Sequence, residues 1–318
     1  MDCTNKLPLK VVYGDFTLGV LGESFQYVFS YAQGGLESLV KNGMEWLYRC
    51  PKPTFWRALT DNDRGSKFHL KSGTWLSADM FISCKEIEVI VDGESQGMPC
   101  APINNQYGGN VFAKEVCVCF TYETITVPAT QVKVTYTVTE NGHINVDVHY
   151  YGAENLPELP VFGLRLIMPT LADKYIYQGL SGETYPDRKA GAVEGVYEVE
   201  DLSLTPYLVP QECGMRMDTQ WLEVYRHTSL NNSRKLAVEQ MLRIEKKDNP
   251  FAFSCLPYTA EEIENATHHE ELPLARRTVL CIYGAVRGVG GIDSWGSDVE
   301  EPYHVHADED IKFSFILR

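Results

Sequence analysis

No stretch of this 318-residue chain is both long and apolar enough to cross a membrane as a helix. Basic residues are few: 28 Lys and Arg stand against 43 Asp and Glu, a formal net charge of −15. That balance repels phosphate backbones and anionic membrane surfaces, so neither nucleic acid nor a membrane is expected as a partner. The opening MDCTNKLPLKVVYGD lacks a basic stretch followed by an apolar run, so no secretory signal is read there. The 9 cysteines are odd in number, scattered, and contain no CxxC pair. This removes zinc-ribbon and thioredoxin readings and leaves free thiols. A cytoplasmic location is therefore expected, with the sequons at Asn231 and Asn265 as chance matches.

Other signatures are missing too. There is no GxxxxGK[ST], no HExxH and no serine in a GxSxG elbow. GAVRGVGG follows a strand-like run but lacks dinucleotide-fingerprint spacing and leads into DSWGSDVEEPYHVH instead of a helix. DNDRGS, from Asp61, opens like a calcium loop, yet position twelve is Ser72 rather than a bidentate glutamate. A hydrogen-bonded turn is expected there instead. His304 and His306 alternate on one strand face, and His268 adjoins His269, but no third ligand lies at metal spacing. These are read as surface or core-edge histidines. No alternation of strands and helices occurs, which excludes doubly wound sheets and (β/α)8 barrels.

What is present has a period of two. In QVKVTYTVTENGHINVDVHYYG, Val132, Val134, Tyr136 and Val138 alternate with polar residues, Asn141-Gly142 marks a tight turn, and Ile144, Val146 and Val148 resume the pattern. CKEIEVIVDGES, EVCVCFTYETITV, RTVLCIYGAV and DIKFSFILR alternate likewise, and the second puts Cys117 and Cys119 on one face. One segment alone reads as helical: YTAEEIENATHH, where Thr259 and Glu262 form a capping box. With no repeat and no low-complexity linker, the expectation is an all-β chain, residues 1–318 forming a single large antiparallel β-sandwich with functional loops.

Three loop segments carry unusual chemistry. RGVGGIDSWGSD, residues 287–298, places Trp295 among four glycines, where an indole is either a plug on the core's rim or a platform for a flat ligand. PTFWRALTDNDRGSKF runs two aromatics and Arg57 into an acidic turn, and GLSGETYPDRKAGAVEGVY crowds Tyr185, Asp187 and Arg188 at a proline. Such mixtures suit polyols, with rings on sugar faces and carboxylates accepting hydroxyl protons. Equally, Arg57, Asp61, Asp63 and Arg188 suit buried ion-paired struts between loops.

Four motifs in order resemble one family. RALTDNDRG is similar to the segment that opens the last domain of family-two β-galactosidases, ETYPDRKAGA to its ENYPDR motif, TPYLVPQECGMR to its YxxPQENG stretch, and GVGGIDSW to its GxGGDDSW. They span residues 55–295, nearly the whole chain. The resemblance begins and ends with that domain, so the chain resembles the small subunit of the two-chain β-galactosidases of lactic acid bacteria. A start methionine where the domain would begin favours a natural subunit.

The resemblance implies a galactose mutarotase-like sandwich that completes a partner's substrate pocket for terminal β-galactosides such as lactose. The two catalytic glutamates of that retaining hydrolase belong to a barrel absent here, so no catalytic residue is expected in this chain. Nor is a metal ligand: magnesium and a monovalent cation go with the large subunit. Trp295 matches the tryptophan that stacks on the sugar at the leaving-group side. Gly65 matches the hinge of a mobile loop, although Arg64 and SKFHLKSGTW depart from the family pattern. Arg57, Asp61, Asn62, Asp63, Tyr185, Asp187, Arg188 and Asp293 are assigned to structuring loops and the pocket edge. The alternative is a free-standing carbohydrate-binding or aldose-1-epimerase-like sandwich, for which His149, His304 and His306 are candidates by residue type alone.

Overall fold

The alternating run at residues 131–150 forms a hairpin. Strands Gln131–Thr139 and Ile144–Tyr150 pair antiparallel with Val138 opposite Ile144, and every inward valine is essentially buried. Its turn is longer than a two-residue Asn-Gly turn. Thr139 and His143 still pair (Thr139 N to His143 O, 3.1 Å), and Gly142 donates to Thr139 O at 2.8 Å with φ at 75°. Gly142 thus supplies the left-handed residue of a three-residue loop. A true two-residue turn lies at Asp92-Gly93, both at positive φ, between strands Ser83–Val91 and Glu94–Gly97.

The computed structural model describes residues 8–101, 111–230 and 239–318; the sequon at Asn231 and the first seven residues lie outside them. Among the described residues the hairpin sits inside a ten-stranded sheet that runs from Glu194–Val199 at one edge to Glu94–Gly97 at the other. Against its inner face lie a six-stranded sheet, which includes Leu9–Tyr13 and Phe25–Ser30, and a five-stranded sheet, which includes Val161–Met168 and Phe251–Leu256. Aromatic rings join the layers. Phe29 of the six-stranded sheet meets Tyr136 at 5.8 Å between centroids. Phe162 of the five-stranded sheet meets Tyr150 at 5.3 Å, and Phe253 meets Tyr177 at 5.4 Å. All pairs between adjacent strands are antiparallel, so the architecture is an all-β, large antiparallel β-sandwich with its core between the layers.

The expected helix is Ala260–Asn265, with Thr259 as N-cap and Glu262 closing the box. Two further helices were not legible, Asp61–Gly65 and Phe68–Ser72. The DND segment is thus a one-turn helix and not the expected turn. Its Thr60 N-cap and Asp63 form a second capping box, T-x-x-D, in which aspartate does the work usually given to glutamate or glutamine. None of the helices of the described residues is long and apolar enough to cross a membrane.

Topology brings the site together. Strands Lys52–Thr54 and Thr278–Val286 flank Val161–Met168 and both run antiparallel to it, with Thr54 opposite Gly163 and Val286 opposite Val161. The segments leaving them, which carry Arg57 and Arg287, therefore emerge at the same end of the sheet.

Candidate functional site

Asp63 is the centre of the underside. It is 2% exposed and lies between two arginines, Arg57 and Arg287, each 1% exposed. Arg57 approaches it with both terminal nitrogens, Nη1 to Oδ2 at 2.6 Å and Nη2 to Oδ1 at 3.2 Å, and Arg287 Nη1 reaches Oδ1 at 3.4 Å. Thr60 adds its N–H and hydroxyl, both 2.8 Å from Oδ2. Burial alone would raise the Asp63 pKa, but the Arg57 charge and these hydrogen bonds outweigh it and hold the carboxyl below its ordinary range. Arg287 continues the network. It donates to Glu158 at 2.9 Å, pairs with Asp298, and lies 4.1 Å over the Phe68 ring. Glu158 also holds His304 at 2.5 Å, and Asp298 binds Lys71 at 2.7 Å.

The glycine loop is seated on this platform by its own backbone. Arg57 Nη2 donates to Gly288 O at 3.1 Å, and Asn62 Nδ2 to Val289 O at 3.0 Å. The Asp187 carboxylate, nearly buried, accepts from Val289 N at 3.0 Å and Gly290 N at 2.8 Å. A Cβ on Gly291, already at φ 77°, would stand 2.7 Å from Asn62 Nδ2. Glycine there is what lets the loop lie so close.

Beyond the glycines the chain turns outward. Asp293 accepts from the backbone of Trp295 at 2.9 Å and Ser297 at 3.2 Å, and from the Ser297 hydroxyl at 2.5 Å. The Ser297 hydroxyl bond first, then the two backbone donors, lowers the Asp293 pKa. Gly296, at φ 83°, rests on the end of the helix Asp61–Gly65, and a Cβ there would lie 2.7 Å from Gly65 O. The result is an ordered tip from which Trp295 projects with 90% of its surface exposed. The indole is not a plug. It stands on a built loop, whose apolar neighbour Ile292 is also exposed.

The remaining motifs pack alongside. Asp61 N donates to Gln211 Oε1 at 2.8 Å, while the Asp61 carboxylate faces water. Arg188 N donates to Tyr185 O at 2.8 Å, closing the turn at Pro186 and leaving the Arg188 guanidinium partly exposed. Tyr185 is buried, with its hydroxyl 3.5 Å from Glu212. Burial pushes the Glu212 pKa up to about 8, against the pull of Arg57.

All ten residues singled out from the sequence thus belong to one constellation, in two tiers. Arg57, Asp63, Tyr185 and Asp187 lie beneath, and Asp61, Arg188, Asp293 and Trp295 face solvent. Asn62 links the tiers, and Gly65 ends the helix that supports the tip. Arg287, Glu158, Asp298, Gln211 and Glu212 were missed. Arg287 carried a signal, a cation at the end of an apolar strand and next to a glycine motif, where burial demands a counter-charge. Glu158 has no local signal. Among the described residues no group of three or more His, Cys, Asp or Glu is placed to hold a metal ion.

Fold and site together define a large antiparallel β-sandwich whose loops carry an exposed indole over a buried ionic platform. The family described as "Beta galactosidase small chain" matches residues 21–317. The β-galactosidase small subunit of Latilactobacillus sakei is 60% identical over 315 residues, which cover 99% of each chain. β-Galactosidases of Halalkalibacterium halodurans and Streptococcus thermophilus are 36% and 32% identical over 96% and 98% of this chain, but the match spans only 28% of their own length. Among solved structures, a putative aldose 1-epimerase from Escherichia coli K12 aligns over 98% of both chains at 11% identity, with a TM-score of 0.43. The chain belongs to the β-galactosidase small-chain family.

Proposed function

We propose that this chain is the small, non-catalytic subunit of a β-galactosidase that hydrolyses terminal β-D-galactosides such as lactose. The observation that carries this reading is the pair of alignments, end to end with a small subunit and over about a quarter of longer β-galactosidases. On this reading the two glutamates of the retaining reaction belong to a large partner subunit, with magnesium and the monovalent cation, and no carboxylate of this chain is catalytic. What this chain contributes is shape and one apolar face. Trp295, held outward by Asp293 and Gly296, offers a broad ring and one N–H to the C–H face of a sugar at the leaving-group side of the shared pocket. Gly65, at the end of the helix beneath that tip, is the hinge about which the following loop moves as substrate enters. Asp61, Arg188 and Asp293 form the pocket's edge.

The test is galactosidase activity on a chromogenic galactoside with each purified subunit alone and with the two mixed. Activity in the mixture alone is expected. A large subunit fully active by itself, and unaffected by this chain, would overturn the proposal.

A further inference from the structure

In a chain with this excess of acid, an arginine without a carboxylate beside it stands out. Among the described residues, Arg49, Arg216, Arg226, Arg276 and Arg277 have no carboxylate within 4.0 Å. Two of them are engaged elsewhere in the fold. Arg216 donates to Met215 O and lies over the Tyr177 ring, and Arg226 is buried against Trp46, Thr170 and the Glu45 carbonyl. The other three stand at one cavity of about 770 Å³, with Lys52 beside them.

The cations of that cavity differ. Arg165 binds both Asp79, at 2.5 Å, and Glu261, at 3.3 Å, so its charge is matched. Glu262 also lines the cavity, but Arg49, Arg276 and Arg277 have no carboxylate within 4.0 Å. Arg277 stacks 3.6 Å over the Tyr48 ring, and Arg49 lies 5.3 Å from the same ring. A guanidinium held on an aromatic face keeps its N–H edge free for an acceptor in its own plane and has less freedom to lose when one arrives. Exposed apolar groups stand beside them: Met80, 55% exposed, and Leu274, 76%, line the cavity, and Tyr48, 41% exposed, lies under the guanidiniums. A small anion would answer the arginines and leave these three in water. A polypeptide can cover both. Exposed Arg, Tyr and Met at a concavity are the residue types enriched where proteins meet.

From this we infer that the cavity around Arg49, Arg276 and Arg277 is a docking groove for an acidic segment of the β-galactosidase large subunit, with an apolar side chain seated against Met80 and Leu274; the inference rests on the function proposed above. The longer relatives carry the corresponding region as part of one chain, but a small subunit such as that of L. sakei must be held by its surface alone. The groove supplies charge complementarity where this chain is otherwise repulsive to acid.

The test titrates the purified large subunit with the wild-type chain, Arg276→Glu, the Arg276→Glu/Arg277→Glu double variant, and Lys114→Glu as a charge-matched change outside the groove. Arg276 is exposed and makes no ion pair, so its reversal does not threaten the fold. The readouts are the concentration giving half-maximal galactosidase activity and the dissociation constant from sedimentation. Each reversal in the groove is expected to raise both by about tenfold or more, with full activity restored at saturation and a flatter salt dependence, while Lys114→Glu matches wild type. Assembly of Arg276→Glu at wild-type concentrations overturns the inference. So does saturable inorganic phosphate binding that Arg276→Glu abolishes without changing assembly, because that pattern marks a small-anion site. Wild-type subunits that fail to associate at all overturn the function proposed above and the groove with it, an outcome distinct from both.

Discussion

Asp63 and Trp295 belong to the same constellation and obey opposite rules. Asp63 is shut away from water between two guanidiniums, and each of its contacts fixes a loop. Trp295 touches almost nothing, although it is the kind of side chain that a core would gladly bury. The difference separates scaffold from contact surface. The buried ion pairs fix where the loops leave the sandwich, and an indole left in water on a loop so anchored has the position of its backbone settled before any ligand arrives. The two ends are joined by short links through Asn62, Asp187 and Gly296, each to backbone atoms.

The comparison can be broken most forcefully at its buried end. Asp63→Ala leaves Arg57 and Arg287 facing each other without their shared carboxylate, and an uncompensated buried charge costs about 3–5 kcal/mol. Urea unfolding of the isolated chain should show a loss of that size, and a loss below about 1 kcal/mol would mean that water or neighbouring carboxylates replace Asp63 easily.

Glu212 gives the next largest effect, and it depends on pH. Burial raises its pKa in the folded chain from 4.5 to about 8. The unfolded chain then releases this proton first. The stability Glu212 provides is therefore complete below pH 4.5 and is lost as pH rises towards 8, at up to about 1.4 kcal/mol per pH unit. Comparing wild type with Glu212→Gln across that window isolates the effect, since the glutamine cannot titrate. Parallel stability curves for the two would show that the buried carboxyl is ionised throughout. Asp63 acts with the opposite sign, because its pKa is lowered, and its contribution disappears as pH falls below the ordinary carboxylate range.

Smaller still is the link between tip and helix. Gly296→Ala places a side chain at positive φ and within 2.7 Å of Gly65 O, a conflict of about 1–3 kcal/mol. Gly65→Ala meets only the Gly296 Cα, at 3.6 Å, and its φ is not positive. It should leave melting temperature nearly unchanged, so that any effect on turnover in the assembled enzyme reports loop motion rather than folding. Equal destabilisation by the two substitutions would remove the distinction.

How much of this was legible in the sequence follows from the range of the interactions. Strands such as Gln131–Thr139 are written in local alternation, and their hairpin turn in Asn141-Gly142, although the turn proved one residue longer. The helix at Ala260 was announced by its capping box, whereas that at Asp61 used a T-x-x-D box that reads equally as a turn. The site was half legible. Its motif residues converge, but the partners that hold them, Glu158 and Arg287, are separated from Asp63 by 95 and 224 positions, and only the sheet order shows that they meet. Sequence chemistry alone left Arg57 and Asp63 divided between sugar recognition and internal struts. Burial decides it: both are inaccessible to a ligand.

The smallest expected change in stability comes at the tip, where the proposed function is most exposed to test. Trp295→Ala removes no packing from the core and breaks no side-chain hydrogen bond, since its one bond to Asp293 comes from the backbone. Unfolding free energy should stay within about 0.5 kcal/mol of wild type. If the ring is a platform for the leaving-group sugar, its loss withdraws about 1 kcal/mol of stacking, a severalfold change in KM and in the partition between water and sugar acceptors. Trp295→Phe should recover part of it, because a smaller ring still offers an apolar face. Half-maximal assembly with the large subunit should be unchanged, in contrast with the groove arginines. Kinetics identical to wild type in a fully assembled, normally stable enzyme would show that the outward indole serves something other than the sugar. A shift in assembly instead would move Trp295 from the substrate pocket to the subunit interface.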